Sequence, residues 1–246
     1  MRRRIWILLI VAMSICSCGK VIDESIETVA YNIKDRFIVL GDSVSYGTGS
    51  RHHRSWAAII QDSLHFKSFW NLSVPGAVAS SKTSDGKYDL ATQICEIDTD
   101  DNFITVMIGI NDCTRNKEIG DVEAELLLPV DELDYKQSFS QGFIYDLKIL
   151  KEKCPKSLVV VVGPPEISKD PSNNLTAYIE VERRVAENLG FPFIDLSAAP
   201  YSSLDSSLCG DHIHPTDKGY KILANFILPR LKQILMEYDE KEKHEV

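Results

Sequence analysis

The sequence predicts an α/β fold in which a five-stranded parallel sheet lies between two layers of helices. Short apolar runs rich in Val, Ile and Phe recur along the chain, and such runs are typical of strands buried on both faces. Helical patterns, with apolar residues three and four positions apart, alternate with these runs. The 246 residues are 44% hydrophobic and 26% charged, which is ordinary for a globular chain. We therefore expect a three-layer α/β/α sandwich with right-handed crossovers.

Five apolar runs are predicted to form the strands, and they cover residues 37–40, 69–74, 103–108, 158–162 and 191–196. Three helices are predicted between them from apolar stripes, which comprise Trp56, Ile59, Ile60 and Leu64; then Phe139, Phe143, Leu147 and Leu150; then Tyr178, Val181, Val185 and Leu189, closed by Gly190. A last helix should begin after Pro215, carry Leu223, Ile227 and Ile234, and kink or break near Pro229.

Two regions depart from this alternation. Residues 113–135 form a longer connection than α/β units need, and its run Leu126, Leu127, Leu128 fits either a lid or a small packed helix. The acidic residues from 237 to 246 are predicted to be a solvated tail. We therefore assign the folded domain to residues 35–236.

The first 18 residues are typical of a secretory signal. Arg2, Arg3 and Arg4 precede an apolar run that is too short to span a bilayer. The end of the run resembles a bacterial lipobox, in which cleavage before Cys18 would make that residue the lipidated N-terminus. We expect residues 19–34 to be a tether and the protein to be lipid-anchored in the bacterial cell envelope. Plain secretion and an uncleaved anchor are the alternatives.

Four cysteines remain in the body of the chain. In an oxidising compartment they permit three pairings that sequence cannot rank, and buried free thiols are the simpler interpretation. A bridge between Cys113 and Cys209 is a further hypothesis, because both flank the candidate site described next. The other two cysteines are Cys95 and Cys154.

The residues that follow the predicted strands are the candidates for a functional site, because ligands of open parallel sheets bind beyond the carboxyl ends of the strands. Four segments qualify and should converge on one edge of the sheet. They are Gly41, Asp42 and Ser43; Gly76; residues 109–112, which include Asn111; and residues 211–214, which include Asp211 and His214.

These segments, in this order, resemble the four blocks of the SGNH (GDSL-type) esterase and lipase family: a GDS serine, a glycine, a GxND asparagine and a DxxH pair. The resemblance covers residues 37–228, and although each block alone is weak, the ordered set on predicted strand ends is specific. It implies a flavodoxin-like fold and a serine esterase that needs no cofactor. The histidines also lack a zinc-like array, so we expect no metal.

Acyl transfer explains why these residue types are needed. A serine hydroxyl such as that of Ser43 is a weak nucleophile until a base takes its proton, and His214 is the candidate base. Asp211 can hold the other imidazole nitrogen. By the family resemblance, the oxyanion of the tetrahedral intermediate would be met by the backbone N–H groups of Ser43 and Gly76 and by the side-chain amide of Asn111.

Competing assignments are weaker. His212 has the wrong spacing from Asp211 for the base and is interpreted as exposed or structural. Asp42 and Asp112 could form a glycosidase pair, but as neighbours of the motif residues they are more typical of loop hydrogen bonding. An α/β-hydrolase would show a G-x-S-x-G elbow, whereas Ser45 stands in place of the second glycine.

Two further features are left with alternatives. Asn71 begins a glycosylation sequon but lies in the predicted second strand, so a structural role is favoured. The basic run Arg51, His52, His53, Arg54 is either a solvated loop or a contact for an anionic group near the ester.

The function expected from the sequence is hydrolysis of short-chain esters, chiefly acetyl esters on carbohydrates. The alternatives are a lysophospholipase or lipase acting on lipid esters, and a catalytically silent surface module that binds glycans. Fold similarity cannot choose among these. The net charge of −9 argues against a nucleic-acid partner, so the expected partners are an ester substrate and, through the lipid anchor alone, the membrane.

Overall fold

The central sheet has five parallel strands, as predicted. The computed structural model describes residues 6–8, 29–31, 36–79, 89–98, 100, 102–168 and 174–244. The sheet strands are β3 (Arg36–Gly41), β4 (Ser68–Asn71), β5 (Phe103–Met107), β6 (Leu158–Val162) and β7 (Phe193–Ile194). Their order is β4-β3-β5-β6-β7, and every neighbouring pair is parallel.

Two further short strands, β1 (Trp6–Leu8) and β2 (Val29–Tyr31), form a separate antiparallel pair. Most of the predicted signal segment and tether, including Cys18, lies outside the described residues.

The described residues contain eight α-helices. They are α1 (Ser43–Tyr46), α2 (Trp56–Leu64), α3 (Leu90–Cys95), α4 (Ile110–Thr114), α5 (Val122–Leu126), α6 (Phe139–Lys153), α7 (Leu175–Leu189) and α8 (Asp217–His244). Short 3₁₀ turns cover Arg51–His53 and Val130–Glu132. Helix α2 packs against α8, whereas α6 packs against α3 and α7, so helices form two layers around the sheet. The predicted three-layer fold is confirmed.

The core forms because the three central strands are buried on both faces. Every residue of β5 and β6 is buried, as is all of β3 after Arg36. At the amino end of the sheet, the Phe37 ring contacts three other rings at centroid distances of 5.1 to 5.3 Å. The parallel pairing of β3 with β5 runs from Phe37 opposite Phe103 to Gly41 opposite Met107, so the carboxyl ends of the two strands are side by side. Those two strand ends carry the candidate site.

The end of the chain is more regular than expected. Helix α8 continues through Pro229 without a break, and the Arg230 guanidinium donates to the Phe226 carbonyl oxygen at 2.7 Å. The same helix runs on to His244, so residues 237–244, which we expected as a tail, are helical. Glu237, Glu240 and Lys241 are exposed, as expected of solvated residues, whereas Asp239 is buried.

The long connection between β5 and α6 is a packed segment. Helix α5 lies against α6 and α7, and the Lys148 ammonium donates to the Leu128 carbonyl oxygen at 2.5 Å. Leu126 and Leu128 pack against the core, and Leu127 alone of the three is largely exposed, at 86%. Within the described parts of the chain, no helix is both long and apolar enough to cross a bilayer.

Candidate active site

Ser43 is presented by a tight strand-to-helix junction. Strand β3 ends at Gly41, and α1 begins at Ser43 with Asp42 as its N-cap, whose carboxylate accepts from the Val44 N–H at 2.9 Å. Gly41 is needed because a Cβ there would lie 2.2 Å from the Met107 carbonyl oxygen of the neighbouring strand. The Ser43 side chain is therefore fixed at the carboxyl end of the sheet.

Two amide side chains that the sequence analysis did not assign to the site hold this junction. Gln93 accepts from the Gly41 N–H and donates to the Gly41 carbonyl oxygen, both at 2.8 Å. Asn71 donates to the carbonyl oxygen of Ser45 at 2.9 Å, which is the structural role that we favoured over glycosylation. A polar residue inside a predicted buried strand was the available signal for Asn71, whereas Gln93 lies on a helix that was not predicted.

The segment before α8 brings two of the predicted residues to Ser43. The His214 ring lies with Nε2 2.9 Å from Ser43 Oγ and Nδ1 2.6 Å from the Asp211 carboxylate. The same carboxylate accepts from the backbone N–H groups of Ile213 at 3.1 Å and His214 at 2.7 Å. The three-residue spacing between Asp211 and His214 thus forms one turn of chain, which fixes the carboxylate and the imidazole relative to each other.

The Asp211 carboxylate is held in its charged form. Partial burial alone would raise its pKa, but the hydrogen bonds from the His214 backbone and ring and from the Ile213 N–H outweigh burial and lower the pKa to about 2. Asp211 is therefore anionic at any pH at which the protein would normally work.

Gly76 and Asn111 lie together on the other side of the junction. The Ala77 N–H donates to the Val74 carbonyl oxygen at 3.0 Å, and Gly76 between them has a φ of 84°, which is typical of a type II turn after Pro75. The Asn111 amide donates to the Ala77 carbonyl oxygen at 3.0 Å. Ser43 and Asn111 follow β3 and β5, the neighbouring strands at which the chain order of the sheet reverses, where ligands of such sheets bind.

Three buried carboxyl groups lie beneath the two motif loops. Asp42 is fully buried, and Asp112 accepts from the Ala79 N–H at 3.1 Å. The third is Glu182 of α7, which is 1% exposed and whose carboxyl oxygen lies 2.7 Å from where a Cβ on Gly109 would be. Burial, then the charges of Asp112 and Asp42, raise the pKa of Glu182 well above its ordinary value. The surroundings of Glu182 therefore favour its neutral form.

Sequence reasoning missed Glu182, although the signal was present. Tyr178, Val181 and Val185 were assigned to the buried stripe of this helix, and position 182 follows Tyr178 by one helical turn. Asp42 and Asp112 bond to loop backbone, as we favoured over a glycosidase pair.

The cysteine hypothesis is wrong. Neither Cys113 nor Cys209 takes part in a disulfide, and the same holds for Cys95 and Cys154. Cys113 is buried within α4, whereas Cys209 pairs with Pro215 in a short bridge on the segment before α8.

His212 has no contact with the proposed base. Its Nδ1 lies 3.3 Å from the Ser203 carbonyl oxygen, and the residue is exposed. Within the described ranges, no group of three or more His, Cys, Asp or Glu side chains is arranged to hold a metal ion.

Fold and site together define a hydrolase with a doubly wound sheet and a serine, histidine and aspartate in hydrogen-bond contact at the sheet edge. The model of the GDSL-like Lipase/Acylhydrolase family matches residues 39–222. The chain therefore belongs to this family and is an ester hydrolase of the SGNH (GDSL) type. A comparison with curated proteins finds no sequence match.

Solved structures support the fold. A protein from Lactobacillus plantarum superposes with a TM-score of 0.68 at 18% identity, covering 82% of this chain and 98% of its own. A phospholipase A1 from Streptomyces albidoflavus NA297 gives 0.55 at 18% identity, covering 81% and 99%. The psychrotrophic esterase EstA from Pseudoalteromonas sp. gives 0.56 at 13% identity, covering 82% and 98%. At these identities the likeness concerns the fold alone.

Proposed function

We propose that the protein hydrolyses carboxylic esters through Ser43, His214 and Asp211, and that its substrates are short-chain, chiefly acetyl, esters on carbohydrates. The observation that carries the proposal is the continuous contact from Ser43 Oγ through the His214 ring to Asp211, at 2.9 and 2.6 Å. These distances are within direct proton-transfer reach of a nucleophile and its base.

The reaction proceeds in two acyl transfers. Ser43 Oγ attacks the ester carbonyl carbon while His214 Nε2 takes the hydroxyl proton, and the carbonyl oxygen becomes an oxyanion. The oxyanion collapses, the bond to the alcohol breaks, and the proton on Nε2 passes to the departing alcohol oxygen. Water then attacks the acyl-serine with the same base, which releases the carboxylic acid and restores Ser43. Asp211 stabilises the imidazolium in both halves.

The oxyanion is met by donors that are already oriented. We assign this role to the backbone N–H groups of Ser43 and Gly76 and to the Asn111 amide. An amide nitrogen carries two hydrogens, so its bond to the Ala77 carbonyl oxygen fixes the side chain and leaves one hydrogen for the substrate. Donors of this kind each contribute on the order of 10²- to 10³-fold to such reactions.

The surroundings of the triad favour a polar alcohol over a lipid. The His214 and Asp211 side chains are 21% and 49% exposed, so the base lies at an open surface. Near it, the Arg115 guanidinium donates to the Gly76 carbonyl oxygen at 3.1 Å, which adds a charged group to the rim. An open, charged rim suits a hydrated sugar as the alcohol. The Leu126 to Leu128 run, which could have supplied an acyl-binding lid, contributes one exposed leucine instead of an apolar patch.

The test compares acyl length and alcohol type. Nitrophenyl acetate, butyrate and octanoate and an acetylated oligosaccharide are assayed with the parent protein and with Ser43→Ala. Ser63→Ala on α2, whose hydroxyl bonds its own helix, is the matched control and should retain activity. We expect acetyl esters to be preferred and Ser43→Ala to lose at least about 10³-fold in kcat.

The other outcomes identify the alternatives. An octanoyl preference with turnover of lysophospholipid would overturn the carbohydrate assignment in favour of a lipase. If the parent protein hydrolyses no ester at any acyl length, the esterase proposal fails and the catalytically silent glycan-binding module is the remaining interpretation.

We also propose that the enzyme is anchored to the bacterial cell envelope through lipidated Cys18. The leader of the chain is what supports this. In a bacterial host fed a labelled fatty acid, the parent protein should become labelled and Cys18→Ala should not. An unlabelled parent protein would overturn the lipid anchor and leave plain secretion or an uncleaved anchor.

A further inference from the structure

A charged cavity of about 430 Å³ lies beside the triad, between the loop that follows α1 and the start of α8. Its walls carry three permanent cations and one carboxylate, on a chain whose net charge is −9. The lining residues are Arg51, His52, Arg54, Ile59, Asp217 and Lys221. Such a local excess of positive charge on an acidic protein attracts anions.

The loop that forms one wall is held in place. The Arg51 backbone N–H donates to one Asp217 carboxylate oxygen at 2.8 Å and its Nε to the other at 2.9 Å. These bonds lower the pKa of Asp217, so the clamp persists into acid. His52 and His53 have φ values of 58° and 52°, a left-handed conformation that costs free energy in residues other than glycine. The fold thus maintains a strained loop at this position.

The cavity lies near the candidate base. Asp217, in its wall, stands three residues after His214 in the chain, and a Cβ on Gly49, two residues before Arg51, would lie 3.0 Å from the His214 Cβ. In the same loop, the His53 ring next to His52 contacts the Tyr46 ring of α1 at a centroid distance of 4.7 Å. The cavity is therefore next to the side of the site that carries His214.

The cations of the cavity retain binding capacity. The Asp217 clamp uses the Arg51 backbone N–H and Nε, so neither terminal guanidinium nitrogen takes part in it. Arg54 pairs with Asp62 at 2.5 Å, but both side chains are 57% exposed, and such exposed pairs contribute little and exchange readily. Lys221 is exposed on α8. A guanidinium fork with a nearby ammonium matches a carboxylate or a phosphate.

We propose that this cavity is a subsite for an anionic group, a carboxylate or a phosphate, carried by the alcohol portion of the ester. The inference rests on the proposed ester hydrolysis and narrows its substrates to acidic carbohydrates. The anion is assigned to the alcohol portion because an acetyl group carries no charge.

The test pairs charged and neutral substrates. To test a carboxylate as the anionic group, kcat/KM is measured on an acetylated glucuronic acid and on its methyl ester. To test a phosphate, kcat/KM is measured on an acetylated glucose 6-phosphate and on acetylated glucose. We expect one charged member to be preferred about tenfold or more, and Lys221→Gln to reduce that ratio several-fold. Lys241→Gln, about 30 Å further along α8, is the matched control and should leave the ratio unchanged.

A second measurement does not depend on turnover. Calorimetry measures ligand binding to the parent protein and to Lys221→Gln. The ligands are glucuronic acid without its acetyl group, the methyl ester of that acid, glucose 6-phosphate and glucose. Tighter binding of one anion, weakened by the variant and by added salt, supports the subsite even if the esterase assays fail. Equal kcat/KM and equal affinity for the charged and neutral members of both pairs would overturn it, while acetyl ester hydrolysis would leave the proposed function standing.

Discussion

Asp42 allows a direct test of the buried carboxyl cluster, because it lies in the interior beside the nucleophile. Burial and the charge of Asp112, opposed by the hydrogen bond from the Val44 N–H, raise its pKa from 3.8 to about 7. The unfolded chain releases this proton at much lower pH, so the folded state binds the extra proton between these two values. The stabilisation from protonated Asp42 is complete below pH 3.8 and is lost as the pH rises through about 7.

The size of the effect follows from the two pKa values. Each pKa unit corresponds to about 1.36 kcal/mol, so a rise from 3.8 to about 7 corresponds to about 4 kcal/mol of unfolding free energy. This is a large part of the 5–15 kcal/mol that is typical of the stability of a whole domain.

The perturbation is Asp42→Asn, which removes the titration and keeps the N-cap, since asparagine caps helices as well as aspartate does. Urea unfolding is measured on both proteins from pH 4 to pH 8. The free energy of unfolding of Asp42→Asn should rise relative to that of the parent by about 4 kcal/mol across this range, with about 3 kcal/mol of the rise above pH 5. Glu240→Gln, an exposed change on α8, should give a difference that is flat with pH.

A difference between Asp42→Asn and the parent that stays constant within about 1 kcal/mol from pH 4 to pH 8 would refute the reasoning. It would mean that Asp42 is ionised in the folded protein and that the cluster binds no extra proton.

Three further variants test the site. Asn111→Ala should lower kcat by about 10²- to 10³-fold with little change in KM, and a loss below about threefold would remove it from the oxyanion hole. Asp211→Asn should lower kcat by roughly 10²- to 10⁴-fold. Because the pKa of Asp211 is about 2, its protonation should not limit the activity of the parent protein above about pH 3. A loss of parent activity near pH 4 that depends on Asp211 would contradict the assignment. Gln93→Leu removes two buried bonds to Gly41 and should lower the free energy of unfolding by about 2–4 kcal/mol in urea titrations, and an unchanged midpoint would show that the clamp is dispensable.

Periodicity predicted the central part of the fold because buried strands and amphipathic helices leave the strongest patterns. The predicted strand at residues 158–162 has the observed bounds, since all of its residues are buried between two neighbours. The predicted strand at residues 191–196 is reduced to Phe193–Ile194, because it lies at the sheet edge and pairs only with the last two residues of β6.

The site was accessible from sequence to the extent that it depends on strand ends. Ser43, Asn111 and His214 each follow or lie near an element that the apolar pattern located. The supporting contacts were not accessible, because they depend on three-dimensional neighbours. Nothing local to Gln93 indicates that it bonds Gly41, 52 residues away. The helical form of residues 237–244 was not predicted, because their acidic composition indicates exposure but does not show whether the chain continues as a helix.

The order of the catalytic residues along the chain has a consequence for the timing of activity. Ser43 directly follows the first strand of the central sheet, at the start of α1, while Asp211 and His214 precede the last helix, α8, which packs against α2. A ribosome therefore completes the nucleophile early and the base almost last. On the proposed mechanism, a partly synthesised chain has the Ser43 hydroxyl without its proton acceptor. It is therefore inactive towards esters until the segment that carries His214 has folded against Ser43.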